Sequence, residues 1–221
     1  MEFVVTGDGS KTLYNSEIGE HYHSKHGALQ ESEHVFLKSG LQFLLDKENV
    51  NSVKILEIGF GTGLNFLVTA NYTGKRLIML DYCGIEAYPL TTAVISQTGY
   101  EKFIDPELWR TFINKYQDIL KQPFQITPRI NLKVVHSKVM DFDFDKKFDV
   151  VYFDAFAAIH QPEMWSEETL AHVCSFLRPG GVFVTYAITG NLKRSMRNLG
   201  FSIEKVPGAP GKREMLRAIK L

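Results

Sequence analysis

Apolar residues fall into short runs that alternate with stretches of helical spacing, and the alternation is sharpest from residue 53 onward. Val53, Ile55, Leu56 and Ile58 form a compact, partly β-branched run, short enough for a buried strand. Gly59, Gly61 and Gly63 follow, and an apolar segment resuming at Leu64 predicts a helix to about Tyr72. Leu77 to Leu80, continuing to Glu86, predicts a second strand, after which Pro89 suits the first turn of a helix toward Gln97. Tyr100 to Lys121 reads as one helical region, closed by Pro123 and Pro128. Further strands are predicted at Leu132–Val135, Phe148–Asp154 and Val182–Ala187, with helices at Glu163–Leu177 and Asn191–Leu199.

The two ends carry different patterns. Phe3–Val5 and Thr12–Tyr14 flank the turn cluster Gly7–Ser10 and predict a β-hairpin. Ala28 to Leu45 predicts an amphipathic helix with Leu29, Phe36, Leu37, Gly40, Leu41 and Leu44 on one side. Phe201–Val206 and Glu214–Ile219, joined by a loop containing Pro207 and Gly211, predict an antiparallel hairpin at one sheet edge. Strands alternating with helices imply an α/β fold with a mostly parallel sheet. The expected organisation is one domain over 1–221. Residues 1–50 are a hairpin-and-helix extension, and 51–221 a Rossmann-like core.

Composition narrows the class. The 221 residues carry no formal net charge, so nothing global argues for a polyanionic partner. Cys83 and Cys174 form no CxxC pair, which argues against a disulfide framework or a cysteine zinc site. The N-terminal residues lack signal-peptide character, and no apolar run approaches the roughly 20 residues that span a bilayer. The expectation is a cytoplasmic protein without a membrane partner. His21, His23 and His26 lie close together but bring no carboxylate constellation, so no metal is expected. Basic residues concentrate late, with Lys193, Arg194, Arg197, Lys205, Lys212, Arg213, Arg217 and Lys220 against Glu204 and Glu214. They give residues 193–221 a net charge of +6, enough for local phosphate contact.

A strand, a glycine turn and a helix open a nucleotide crevice, and Glu86 follows Gly63 by about 20 residues, the offset of a ribose-binding acid. Two ligands fit: a dinucleotide, as in an NAD-dependent oxidoreductase, or S-adenosylmethionine. The dinucleotide fingerprint wants a small residue at position 64, which is Leu64. The spacing Glu57-x-Gly59-x-Gly61-x-Gly63 resembles motif I of class I methyltransferases, whose opening acid helps position the amino-acid end of the cofactor. The turn Arg178-Pro-Gly-Gly181 resembles the one before their fifth strand, and Asp154-Ala-Phe156 ends the fourth strand at the carboxyl edge, where such sheets bind ligands.

Asp154 to Trp165, with Glu57 to Phe66, Gly27 to Phe36 and Gly211 to Met215, resembles the methyltransferase domain of the MnmC family. The resemblance covers the chain from the first hairpin to the last strand. It implies a class I S-adenosylmethionine-dependent fold and N-methylation of 5-aminomethyl(-2-thio)uridine at the tRNA wobble position. Because the sequence ends at Leu221, the form without the family's flavin-dependent oxidoreductase is expected, with no flavin and no metal. Cofactor contacts are implied for Glu57, Gly59, Phe60, Gly61, Gly63, Asn65, Glu86 and Asp154. Ser137, or a backbone amide, stands where many members place an acid near the adenine. Ala158 and His160 depart from the family's loop, which has proline and a basic residue there. Acceptor contacts are expected for Glu31, Phe156, Tyr186, Lys212 and Arg213, with the Phe156 and Tyr186 rings available to stack on uracil or adenine. Asp154 is the expected catalytic residue, orienting the amine and stabilising charge developing on nitrogen. Other acceptors fit the residues too, among them a small amine or a free nucleoside, as does a non-catalytic RNA-binding module. Pro162 and Trp165 are expected to fix the loop after Asp154.

Overall fold

In the computed structural model, which describes residues 1–221, the chain opens with a small antiparallel sheet of β1 (Glu2–Val5), β2 (Lys11–Asn15) and β3 (Glu20–His21). The first two strands are the predicted hairpin. Asp8 Oδ1 fixes its turn, accepting from Thr6 Oγ1 at 2.7 Å and from the Ser10 N–H at 3.0 Å. β3 is two residues long and pairs Tyr14 with His21, too short to leave a period in the sequence.

The predicted helix over 28–45 exists, but its middle is wound differently. α1 (Ala28–Glu31) passes into a π-helical stretch, Ser32–Gln42, and then into α2 (Phe43–Lys47). The Phe43 N–H reaches back to Lys38 O, five residues rather than four. The wider winding buries Val35 and Ser39 beside Phe36, Leu37 and Leu41, whereas Leu29 is only half-buried. Gly40 makes this packing possible, because a Cβ there would lie 2.9 Å from the Tyr152 ring.

The remaining elements build the larger sheet and its covering helices. They are β4 (Ser52–Ile58), α3 (Leu64–Lys75), β5 (Met79–Glu86), α4 (Thr92–Ile95), α5 (Pro106–Ile119), β6 (Phe124–Thr127), β7 (Ile130–His136), β8 (Phe148–Phe153), α6 (Glu167–Ser175), β9 (Leu177–Thr185), α7 (Gly190–Asn198), β10 (Phe201–Pro207) and β11 (Glu214–Lys220). The strand order is β10-β11-β9-β8-β4-β5-β7-β6. β9, β8, β4, β5 and β7 run parallel, and β6, β10 and β11 make the antiparallel contacts. The closing hairpin thus lies at one edge as predicted, with β11 docked on β9 and β10 outermost.

Several boundaries differ from the sequence reading. The helix after β5 is shorter than predicted: Pro89 lies outside it, and Thr91 caps α4 by accepting from the Val94 N–H. The helical region from Tyr100 breaks at Asp105, whose side chain caps α5 by accepting from the Glu107 and Leu108 N–H groups, with Pro106 next. β6 was not predicted, since its four residues lie between two prolines on the sheet edge. α6 begins at Glu167 after a 3₁₀ turn over Pro162–Trp165, because Ser166 takes the capping position. β9 starts at the last residue of the predicted helix and runs through the predicted turn, with a register shift between its pairing at Leu177 and at Val182.

Residues of β4 alternate between two cores. Val53 and Ile55 join Phe66, Phe112 and Tyr152 on one face, while Leu56 and Ile58 join Phe153, Phe183 and Leu216 on the other. The first core also takes Leu13 and Val35, so the N-terminal extension packs directly on the sheet. Both faces of the central strands β4 and β8 are therefore covered. The carboxyl ends of β4, β5 and β8 place Gly59, Glu86 and Asp154 side by side.

Candidate active site

The glycine turn after β4 is held in left-handed backbone conformations at Gly59 (φ 83°), Gly61 (φ 52°) and Gly63 (φ 79°). At Gly59 the need is also one of space, since a Cβ would lie 2.5 Å from Asp154 O. Four donors of this turn are already used. Gly59 and Phe60 N–H groups donate to Ile85 O at 3.0 and 3.1 Å, and Gly63 N–H donates to Phe60 O at 2.9 Å. Gly61 N–H donates to Glu86 Oε2 at 2.9 Å. A pyrophosphate needs such amides free and pointing at it, and here it would meet a carboxylate instead. That arrangement disfavours a dinucleotide and suits a ligand that brings hydroxyl donors to Glu86. The other carboxylate oxygen accepts from Tyr88 N–H at 2.9 Å, which fixes the acid at the rim.

Beyond the turn lies a cavity of about 920 Å³, at the upper end for ligand pockets and roomy enough for a cofactor with a second group beside it. Gly59, Gly61, Glu86 and Ser137 line one part, and Asp154, Phe156, Tyr186, Glu31 and Lys212 line another. The fold thus brings together most of the residues singled out in the sequence: those from α1, three strand ends and the β10–β11 loop converge on one space.

At its floor a buried polar cluster organises Asp154. Asn65 Nδ2, from the first turn of α3, donates to Asp154 Oδ2 at 2.7 Å and to Glu57 Oε1 at 2.8 Å. Tyr82 OH donates to Glu57 Oε2 at 2.9 Å. Burial, then the neighbouring Asp154, pushes the Glu57 carboxyl well above its ordinary range. Burial, then Glu31, does the same to Asp154, while Asn65 and Lys212 oppose it. Glu31 accepts from Lys212 Nζ at 3.1 Å and from the Ser24 N–H at 2.8 Å, and Lys212 Nζ sits 3.6 Å from the Tyr186 ring centroid. Opposite stands His23, 6% exposed, with Nδ1 3.9 Å from Asp154 Oδ2.

The loop after Asp154 is clamped at each residue. Tyr186 OH donates to Ala155 O at 3.0 Å, Trp165 Nε1–H to Phe156 O at 2.8 Å, and Ala157 N–H to Glu20 Oε2 at 2.8 Å. Trp165 is thus the loop-fixing residue the sequence suggested. Phe156 meets Tyr22 edge-on, with centroids 5.2 Å apart.

Four of the residues expected to contact a ligand, Glu57, Asn65, Gly63 and Arg213, do not line the cavity. Glu57 is fully buried and lies behind the wall, linked to Asp154 through the Asn65 amide. Asn65 likewise lies behind the wall and acts through the carboxylates it bridges. Gly63 packs against the rings of Phe112 and Phe60, and the Phe60 ring is itself core, pressed on Gly84. Arg213 is exposed and lies outside the cavity wall. The late basic run is also not one face: Arg217 pairs with Glu204 at 2.7 Å, and Lys220 Nζ donates to Cys174 O and Leu177 O at 2.8 Å. His23, Tyr22, Tyr82 and Glu20 were missed as site residues. The only available signal was the nearness of His23 and Tyr22 to the family-matching segment at Gly27. No three His, Cys, Asp or Glu side chains are grouped to hold a metal ion.

A sequence profile described as S-adenosyl-L-methionine-dependent methyltransferase matches residues 103–221. The chain belongs to that family. Over 93% of its length this methyltransferase is 32% identical to a tRNA 5-methylaminomethyl-2-thiouridine biosynthesis bifunctional protein MnmC of Leptospira borgpetersenii, covering 33% of that protein. It thus spans about a third of the length of the curated relatives it matches. The crystal structure of MNMC2 from Aquifex aeolicus superposes with a TM-score of 0.79 at 25% identity, over 99% of this chain and 70% of that one. Magnesium protoporphyrin IX methyltransferase from Synechocystis, solved with bound SAH, shares the fold alone, with a TM-score of 0.52 at 10% identity over 88% of this chain and 84% of that one. The α/β architecture is therefore the class I methyltransferase fold. The cavity fits the family's cofactor. The glycine turn leaves its floor open, Glu86 offers a carboxylate for hydroxyl donors, and acids rather than phosphate-binding amides face a ligand that carries positive charge.

Proposed function

We propose that this methyltransferase methylates the primary amine of 5-aminomethyl(-2-thio)uridine at the tRNA wobble position, giving the 5-methylaminomethyl nucleoside. The observation that carries the reading is the buried carboxylate Asp154 at the end of β8, facing a cavity that also receives Glu31 and the Tyr186 ring. A cationic alkylamine is the acceptor such a wall selects, through the carboxylates and the aromatic face. The similarity to MnmC proteins over nearly the whole chain supports the choice of nucleoside.

S-adenosylmethionine supplies, when bound, a methyl group on a sulfonium that leaves as a neutral thioether. Glu86 would hold its ribose, with the glycine turn beneath and Ser137 beside the base. Asp154 is placed to accept a hydrogen bond from the amine and direct its lone pair. Its position is set by Asn65, and holding the reactants in line can supply roughly 7–11 kcal/mol of the barrier. Phe156 and Tyr186 offer ring faces to an unstacked uracil, the way single-stranded RNA is read. Lys193, Arg194 and Arg197 of α7, with Lys205 and Arg213, are the late basic residues left for tRNA phosphates after the ion-paired and carbonyl-bound ones are subtracted. We place the protein in the cytoplasm with its tRNA substrate, folded as one domain.

Incubating the protein with S-adenosylmethionine and tRNA carrying the aminomethyl nucleoside, then digesting to nucleosides, tests the reading. The expected result is conversion to the methylaminomethyl nucleoside, dependent on intact tRNA. A preparation that binds S-adenosylhomocysteine but yields no such product overturns the tRNA assignment. Equal methylation of a free amine or nucleoside would favour the small-acceptor alternative.

A further inference from the structure

His23 has a nitrogen without a partner in a place where burial makes that costly. The ring is 6% exposed, lines the cavity, and its Nδ1 makes no hydrogen bond. Its backbone is pinned, with the N–H donating to Thr12 Oγ1 at 2.9 Å and the carbonyl accepting from the same hydroxyl at 3.0 Å.

The tautomer follows from what the other nitrogen touches. His23 Nε2 lies 3.3 Å from Thr62 Oγ1, Thr62 Oγ1 lies 3.0 Å from Tyr100 OH, and Tyr100 OH donates to Lys11 O at 3.5 Å. A carbonyl can only accept, so the chain runs one way: Nε2–H to Thr62, Thr62 O–H to Tyr100, Tyr100 O–H to the carbonyl. That polarity puts the proton on Nε2 and leaves Nδ1 with a lone pair. Nδ1 then turns its lone pair toward Asp154 Oδ2 across 3.9 Å. A nitrogen bearing two N–H groups would satisfy both at ordinary hydrogen-bond lengths of about 2.8–2.9 Å.

We propose that His23 Nδ1 and Asp154 together grip the acceptor's ammonium group, and that Nδ1 takes the proton that must leave before methylation. This rests on the assignment of an alkylamine as acceptor. The step balances simply. One N–H bond of R–NH₃⁺ breaks, its electron pair stays on nitrogen as the lone pair, and the proton forms an N–H bond at Nδ1. The imidazolium so formed returns its proton to solvent after product leaves. Burial lowers the His23 pKa and keeps the ring neutral beforehand, with Glu31 pulling the other way and Lys212 adding to the lowering. Asp154 holds the ammonium, and His23 supplies a base of better-matched strength than an ordinary carboxylate. The groups facing the ring are Glu31 from α1, Asp154 after β8, Thr62 before α3 and Lys212 from the β10–β11 loop.

His23→Phe fills the same buried space without the base. Its methylation rate on aminomethyl-tRNA should fall by about 100-fold at pH 7. The loss should shrink as pH rises, because solution then supplies the free amine. S-adenosylhomocysteine affinity should not change. A loss that is the same at every pH marks a packing role and overturns the proposal, as does unchanged turnover. An independent measurement needs no acceptor: ¹⁵N NMR of histidine-labelled wild type with S-adenosylhomocysteine should show His23 neutral and protonated on Nε2. Protonation on Nδ1 overturns the proposal whatever the substrate. If wild type bearing the expected tautomer fails on aminomethyl-tRNA, the choice of acceptor has failed. His23→Phe is then assayed on the amine the wild type does methylate, with the same pH test.

Discussion

Asn65→Leu isolates the buried cluster beneath the site. Leucine keeps the approximate shape of asparagine but deletes the amide that donates to Glu57 at 2.8 Å and to Asp154 at 2.7 Å. Hydrogen bonds to charged groups contribute about 1.5–3 kcal/mol each, so two of them set an upper bound of roughly 3–6 kcal/mol. The loss cannot reach that bound in full, because a carboxyl left without its donor takes up a proton instead. We expect a destabilisation of about 3 kcal/mol at pH 7.5. The pH dependence has a definite sign. Both carboxyls already have folded-state pKa values raised above their unfolded ones. Their stabilising contribution is therefore fully present below the unfolded values near 4 and is lost as pH rises through the folded ones. Removing Asn65 raises the folded values further, so the gap between variant and wild type should be widest at neutral pH and narrow toward pH 5. Urea unfolding followed by circular dichroism at pH 7.5 and pH 5.5 measures it. A gap below about 1 kcal/mol, or one equal at the two pH values, would refute the reading that the Asn65 amide favours the charged forms of both carboxyls.

Three further outcomes follow from the same geometry. Asp154→Asn should cut methylation at least 100-fold while S-adenosylhomocysteine binding by calorimetry stays within a few-fold, since the cofactor's turn and Glu86 are untouched. Glu86→Ala removes the acceptor of the Gly61 N–H and of ribose hydroxyls, and should weaken cofactor binding by about 10–100-fold, read by the same titration. Gly84→Ala would place a Cβ 2.3 Å from the Phe60 ring, so thermal unfolding should report about 1–3 kcal/mol lost through overpacking.

The sequence was most legible where a local rule fixes a local feature. The apolar run at Val53–Ile58 had to be a strand, and Gly59, Gly61 and Gly63 had to turn after it, because each property belongs to the residue itself. Glu86 and Asp154 were legible for the same reason, as acids closing apolar runs at the edge where α/β sheets bind. Family resemblance added Glu31, Tyr186 and Lys212, which no period could have placed together. Elements set by competition between neighbours were less legible. α5 starts at Asp105 because that side chain caps it, and β6 exists because β7 offers an edge.

What only the tertiary structure decided is which groups touch. Glu57 and Asn65 read as cofactor ligands but lie one layer behind, because β4 and α3 turn them toward each other and toward Tyr82. His23 reads in the sequence only as part of a histidine group weighed for a metal, yet the chain leaving β3 brings it to within 3.9 Å of Asp154. Sequence alone determined the scaffold and the cofactor class, since backbone conformation and burial pattern are short-range properties. The proton-handling end of the site depends on contacts between residues more than 100 positions apart, and only the packed fold brings those together.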